Sequence, residues 1–155
     1  IGQGMKCNLA DVNAAIGLAQ IRKYEDLLKE RKRVFTRYND ALKQYDWALT
    51  PPAITPGKES SYHVYALRIK DVTEQQRDEI IQEIAKSEVA VNVHFVPMPM
   101  LTLFREKGYD IKDYPQAYRN YAHEISLPIY PQLTDEQADF VIRSVVEAHD
   151  KVMGK

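Results

Sequence analysis

Between Trp47 and Ser61 the chain carries Pro51, Pro52, Pro56 and Gly57, a run through which no helix can pass. Each proline fixes its own φ and removes a backbone donor, so the segment must be a loop that delivers the chain to a new layer. The residues on its two sides differ in period. Tyr24 to Tyr45, before the break, repeats apolar side chains at helical spacing, whereas Ser61 to Ile69, after it, alternates. Any fold open to this chain must join a helical part to a mixed part across that loop.

In the helical part, Leu27, Leu28, Val34, Phe35, Tyr38, Ala41 and Leu42 form one apolar stripe. Arg22, Lys23, Lys29, Arg31, Lys32, Arg33 and Arg37 crowd the other positions, with Glu25, Asp26, Glu30 and Asp40 interleaved. That mixture favours a solvated face with pairs at helical spacing over a phosphate or membrane surface. An earlier helix begins near Ala10, with Asp11 in its first turn and Val12, Ala15, Ile16 and Ala19 along one face. Gly17 inside it points to a neighbour that approaches too closely for a side chain.

Beyond the break, Tyr62, Val64, Ala66 and Ile69 alternate with His63, Tyr65 and Arg68 and predict a strand. Thr73 and Gln76 form a capping box ahead of Ile80, Ile81, Ile84 and Ala85, the buried face of a helix. Val89 to Val96 reads as a second strand, with Asn92 and His94 on one face and Val91, Val93 and Phe95 on the other, stopped by Pro97 and Pro99. A short helix from Leu101 to Lys107 closes at Gly108, another runs from Pro115 to Ala122, and Glu124 to Leu127 is a strand ended by Pro128. The last helix has Leu133 before its cap, Thr134 as cap, Gln137 closing the box and Phe140, Val141, Val145, Ala148 and Val152 inward. The fold class is α+β: a sheet of about three strands covered by helices and preceded by a long helical segment.

Composition excludes several functions. Lys plus Arg is 21 against 22 Asp plus Glu, a net charge of -1, so the chain lacks the basic field that holds nucleic acid. No apolar run approaches the ~20 residues that span a bilayer, and the first residues do not show a charged segment followed by an apolar signal core. A cytoplasmic protein is expected. The single cysteine, Cys7, excludes an internal disulfide and a multi-cysteine metal site, and it reads as a bystander rather than a nucleophile. No phosphate loop, paired metal-ligand motif or catalytic triad is present at informative spacing.

Two features remain as candidates for chemistry. One is the loop Gly4 to Asn8, polar at Lys6 and Asn8; the other is His94, near a strand end and before a proline-punctuated loop, where site residues are often displayed. His63 reads as a wall residue, and Tyr109, Tyr114, Tyr118 and Tyr121 as cover for a core edge with wet hydroxyls.

The segment GMKCNLADVNAAIGLAQI, Gly4 to Ile21, resembles the loop and helix of the pyridoxal-phosphate-dependent sugar aminotransferases of the DegT/DnrJ/StrS family. SYHVYALRI, VNVHFVPMPM and SLPIYPQLTDEQADFVI resemble further blocks of that family in the same order, so the likeness covers almost the whole chain. Members acting on 4-keto sugar nucleotides look most similar at the lysine-containing loop.

The resemblance implies the C-terminal part of a fold type I enzyme, with residues 1–46 linking to a large domain and residues 47–155 forming a small α+β domain. It implies pyridoxal 5'-phosphate as cofactor, bound mainly by the large domain. It also implies a keto sugar nucleotide as substrate, an amino-acid donor such as glutamate, a role in surface polysaccharide or lipopolysaccharide synthesis, and a homodimer. The chain begins at Ile1 rather than methionine, as a piece of a longer protein would. The Schiff-base lysine is expected upstream, so no catalytic residue is assigned here and the piece alone should not transaminate. By position Lys6 and Asn8 would hold the cofactor phosphate of the neighbouring subunit, and His94 would hydrogen-bond the substrate. Cys7 replaces a tyrosine usual in the family. Two alternatives stay open: a dehydratase of the same family, and a free-standing α+β binding or regulatory module.

Overall fold

Two helices open the protein, a computed structural model that describes residues 8–154: α1 (Asp11–Ile21) and α2 (Tyr24–Leu42). The proline-rich loop follows and holds more structure than its composition suggests. Its start pairs as β1 (Ala48–Leu49), and its tip is a hairpin of β2 (Ile54–Thr55) and β3 (Lys58–Glu59). Pro56 and Gly57 make the two-residue turn, and Gly57 sits at φ 75°, the left-handed region that a glycine enters without penalty. The chain then runs through β4 (Tyr65–Ile69), α3 (Glu74–Lys86), α4 (Thr102–Glu106), α5 (Pro115–His123), β5 (Glu124–Leu127) and α6 (Asp135–Met153).

The main sheet has the order β1-β4-β5, antiparallel throughout. Its register pairs Tyr65 with Leu127, Ala66 with Ser126, Leu67 with Ile125 and Arg68 with Glu124. Side chains alternate across a strand, so this register sorts the sheet into two unlike faces. Tyr65, Leu67, Ile69, Ile125 and Leu127 enter the core shared with α2, α3 and α6. Ala66, Arg68, Glu124 and Ser126 take the opposite face, toward α5 and the segment around His94.

The core closes through aromatic edges. Phe35 meets Tyr62 and Tyr65 at ring distances of 5.2 and 4.9 Å, and Tyr38 meets Tyr65 at 4.9 Å. The buried hydroxyls are satisfied: Tyr38 donates to the carbonyl of Pro128 and Tyr65 to Asn39 Oδ1, each at 2.8 Å. Burial raises both phenols above their ordinary value. At the far end of α6, buried His149 stacks on Trp47 at 4.0 Å.

Both capping boxes form, Thr73 with Gln76 and Thr134 with Gln137. The pairs expected along α2 appear for Glu30 with Arg33 and Asp40 with Lys43. Arg33 and Arg37 also reach across to α6. Arg37 grips Asp139 with two bonds of 2.6 and 2.7 Å, and Arg33 pairs with Asp135 and donates to the Leu133 carbonyl at 2.7 Å.

The structure corrects the sequence reading in four places. Tyr65 and Leu67, rather than Val64 and Ala66, face the core, because Tyr62 enters at φ 52° and the Tyr65 ring fills the notch between Phe35 and Tyr38. Residues 89–96 are not a regular strand: Asn92 bridges Ser126, and the third sheet position belongs to β1 instead. Nothing approaches within 4 Å of a Cβ placed on Gly17, so the close neighbour is not among the described residues. Ala85 and Phe140 face solvent; Phe140 walls a surface hollow of about 660 Å3 with Tyr130 and Val89.

Candidate functional site

On the polar face of the sheet, β5 reads Glu-Ile-Ser-Leu, which turns Glu124 and Ser126 away from the core. Both are nonetheless buried, because the chain returning from α3 lies over them. Asn92 exchanges backbone bonds with Ser126, its N–H donating at 3.2 Å and its carbonyl accepting at 2.7 Å. Two residues later the backbone leaves the ladder, since the His94 N–H donates to Glu124 Oε2 at 2.8 Å instead of to a backbone carbonyl. The other carboxylate oxygen of Glu124 accepts from Ser126 Oγ. One buried carboxylate thus ends the strand and aims the chain outward, leaving the His94 side chain exposed. The peptide between His94 and Phe95 is cis.

Arg77 fixes the floor beneath this arrangement. It is 1% exposed, and its Nη1 donates to the carbonyls of Tyr121 and Glu124 at 2.5 and 3.0 Å while Nε pairs with Asp78 at 2.8 Å. Its guanidinium also lies over the Tyr121 ring at 4.8 Å. Burial and nearby Glu74 raise the Tyr121 phenol, and a 2.9 Å bond to Glu74 raises that of Tyr118. Tyr118 and Tyr121 thus stand at Glu74 and Arg77 rather than against the core cluster, where the sequence reading put them.

His94 stands between two clefts. One, of about 420 Å3, has Ala66, Arg68, Phe95, Asn120 and Glu124 in its walls; the other, of about 370 Å3, has His63, Asn92 and Ser126. Arg68 is steadied by a 3.0 Å bond to Asn120. The arrangement offers an imidazole, a guanidinium and an amide on a rigid wall, suited to hydroxyl and anionic oxygens.

Of the residues expected from sequence, His94 is placed at a cleft mouth and His63 in the wall beside it. Asn8 is exposed on the lead into α1 and lines neither cleft; Lys6 and Cys7 lie outside the described residues. Glu124, Ser126, Arg68 and Asn120 escaped the sequence reading. The signal was there in the two polar residues on one face of a four-residue strand, a face that needs polar cover. Among the described residues, no cluster of His, Cys, Asp or Glu is placed to hold a metal ion, and no helix is long and apolar enough to cross a membrane.

Residues 2–146 match the DegT/DnrJ/EryC1/StrS aminotransferase family. The chain belongs to that family. It is 32% identical over 148 residues to the spore coat polysaccharide biosynthesis protein SpsC of Bacillus subtilis, covering 92% of this chain and 37% of SpsC. It is 26% identical over 153 residues to the dTDP-4-dehydro-2,3,6-trideoxy-D-glucose 4-aminotransferase of Saccharopolyspora spinosa, covering 99% of this chain and 36% of that protein. In structure it resembles the sugar aminotransferase Spr1654 of Streptococcus pneumoniae, with a TM-score of 0.91 and 36% identity over 96% of this chain and 37% of the other. Spr1654 is known in apo, PMP and PLP forms. The α+β fold matches the C-terminal part of such structures, and the chain spans a little over a third of these relatives' length.

Proposed function

We propose that this chain is the C-terminal part of a pyridoxal-phosphate-dependent aminotransferase that moves an amino group from an amino-acid donor, glutamate or a similar one, to a keto sugar nucleotide. The observation that carries the reading is the family match over residues 2–146. A relative named for polysaccharide biosynthesis and another for amino transfer to a dTDP-keto sugar support the substrate class. The pathway is surface polysaccharide or lipopolysaccharide synthesis, in the cytoplasm.

When bound, pyridoxal phosphate supplies an aldehyde that takes up the amino group and a ring that serves as an electron sink. The fit of this chain to that group rests on the segment before α1. Asn8 is exposed there, just before the first turn of the helix, and an amide together with the ammonium of Lys6 suits phosphate oxygens. His94, aimed outward by Glu124, hydrogen-bonds the substrate. The reading divides the protein so that residues 1–46 link to a large domain and residues 47–155 form the small one, with α2 entering the small domain's core.

A homodimer completes the proposal, with Lys6 and Asn8 serving the partner's cofactor. What supports it is α1 with the residues just before it, which bury nothing within the described chain and leave Leu9, Val12, Ile16 and Ile21 between 58% and 72% exposed. Apolar side chains exposed along one helix in this way fit a covered interface.

Borohydride reduction of the longest natural form with pyridoxal phosphate, followed by peptide mass mapping, tests the function. A pyridoxyl-modified lysine upstream of Ile1 is expected. Absence of any adduct would overturn amino transfer and turn attention to the dehydratase and binding-module readings.

A further inference from the structure

Sharing Arg68 and Asn120 with the cleft at His94, but not lined by His94, lies a further cavity of about 300 Å3. Its walls carry Arg68 and Lys70 from the end of β4, Asp71 from the following turn, and Arg119, Asn120 and His123 from α5. Three permanent cations and an imidazole therefore face one hollow, with a single carboxylate among them. Lys32, Arg33, Arg37, Lys43, Lys86 and Lys151 each lie within ion-pair distance of a carboxylate, whereas other cations such as Arg31, Lys58 and Arg143 do not; what sets this hollow apart is that three cations line it together. No ion pair among the described residues includes Arg68, Lys70, Arg119 or His123. Lys70 donates to the Asp46 carbonyl at 2.6 Å and Arg68 donates through one nitrogen to Asn120, while Arg119 makes no side-chain hydrogen bond among the described residues.

We propose that this cavity is a binding site for a phosphoryl dianion, either inorganic phosphate or a phosphate ester, held by Arg68, Arg119 and His123. Guanidinium groups match phosphate oxygens with paired donors, and Lys70 adds charge at the rim. The volume is at the lower end of the range for small-ligand sites. His123 reports the same imbalance: burial and then Arg119 hold its pKa below the ordinary value, Arg68 and Arg77 add to this, and Asp71 opposes it. A dianion seated among these cations would reverse that field.

Calorimetric titration of the full-length protein with inorganic phosphate, at ionic strength held constant with chloride, tests the site. Saturable binding is expected, weakened at least tenfold by Arg119→Gln and by Arg68→Gln, with the His123 ring titrating at higher pH when phosphate is present. Arg119 is exposed, so an unchanged melting midpoint for its variant will show that the fold is intact. Absence of saturable binding, an equal response to chloride, or variants that bind like the wild type would each overturn the proposal. Uridine diphosphate in a parallel titration separates the sources. If Arg119→Gln weakens it too, the occupant is a nucleotide phosphate; if Arg119→Gln weakens inorganic phosphate alone, the occupant is a free phosphate or a simple monoester. Failure of amino transfer in the borohydride experiment would leave this result unaffected.

Discussion

The backbone N–H of His94 donates to the buried carboxylate of Glu124 at 2.8 Å, and that bond replaces the next rung of a β-ladder. Glu124→Ala leaves this part-buried N–H and the Ser126 hydroxyl without their acceptor and should cost about 1 kcal/mol, the low end of the penalty for an unpaired polar group. Glu124→Gln should recover most of the loss, because its amide oxygen accepts from His94 and its NH2 donates to Ser126 Oγ. Urea unfolding of both variants checks the order. In the full-length protein the alanine variant should also weaken sugar-nucleotide affinity more than the glutamine variant.

Arg77 holds two carbonyls at a helix-to-strand junction and is itself 1% exposed. Arg77→Met keeps the length of the stem and removes every donor. The Tyr121 and Glu124 carbonyls lose their charged partner, and a destabilisation of about 2–3 kcal/mol is expected from bonds of this type. A methionine variant as stable as the wild type by urea denaturation would show that the buried guanidinium is replaceable.

Thr134 offers a cleaner local case. Its hydroxyl accepts from the Gln137 N–H at 3.2 Å, and Gln137 returns a bond to the Thr134 N–H at 2.9 Å. Thr134→Ala should cost about 1 kcal/mol, as for other N-cap replacements. Gln137→Ala should cost less, since the hydroxyl bond survives. Because α6 packs on both α2 and α3, the loss should appear in global unfolding rather than as fraying alone.

What was legible in the sequence was whatever depends on near neighbours. The capping boxes at Thr73 and Thr134 and the proline start of α5 need only residues three positions apart, and all appear as read. The face of β4 was misread because its inner side is chosen by aromatic partners on α2, twenty-seven or more positions earlier in the chain, as for Tyr65 with Tyr38. The segment around His94 carries β-branched residues and alternation, yet most of its expected ladder is absent because a side chain, Glu124, competes for the backbone donor. His94 itself was found from position, whereas its support was not, since a carboxylate thirty residues away in sequence gives no local sign.

Lys6→Ala in the full-length protein probes the proposed cofactor loop. If the ammonium reaches a phosphate or diphosphate oxygen, affinity for cofactor or substrate should fall by about 1.5–3 kcal/mol, typical of a charged hydrogen bond. Asn8→Ala should fall less, since a neutral amide gives a weaker bond to the same oxygens. Unchanged affinity for both ligands in Lys6→Ala would remove the residue from the site.

Stability should depend on pH in two windows with separate origins. The folded-state pKa of His123 lies below its ordinary value of 6.5, so near that pH the unfolded chain binds more protons than the native one. Stability from this group is therefore greatest above pH 6.5 and declines as pH falls toward the folded value. The second window belongs to carboxylates held below their ordinary values: Glu59 by Tyr62 and Lys32, Glu83 by Lys151 and Lys86, and Asp139 by Arg37. Their contribution is complete above about pH 5 and is lost as pH falls through the folded values. Urea unfolding from pH 8 to pH 3 should show both limbs. His123→Gln should flatten the upper limb and leave the lower one, while Arg37→Met should shrink the lower one. An upper limb that survives His123→Gln unchanged would assign it to another group.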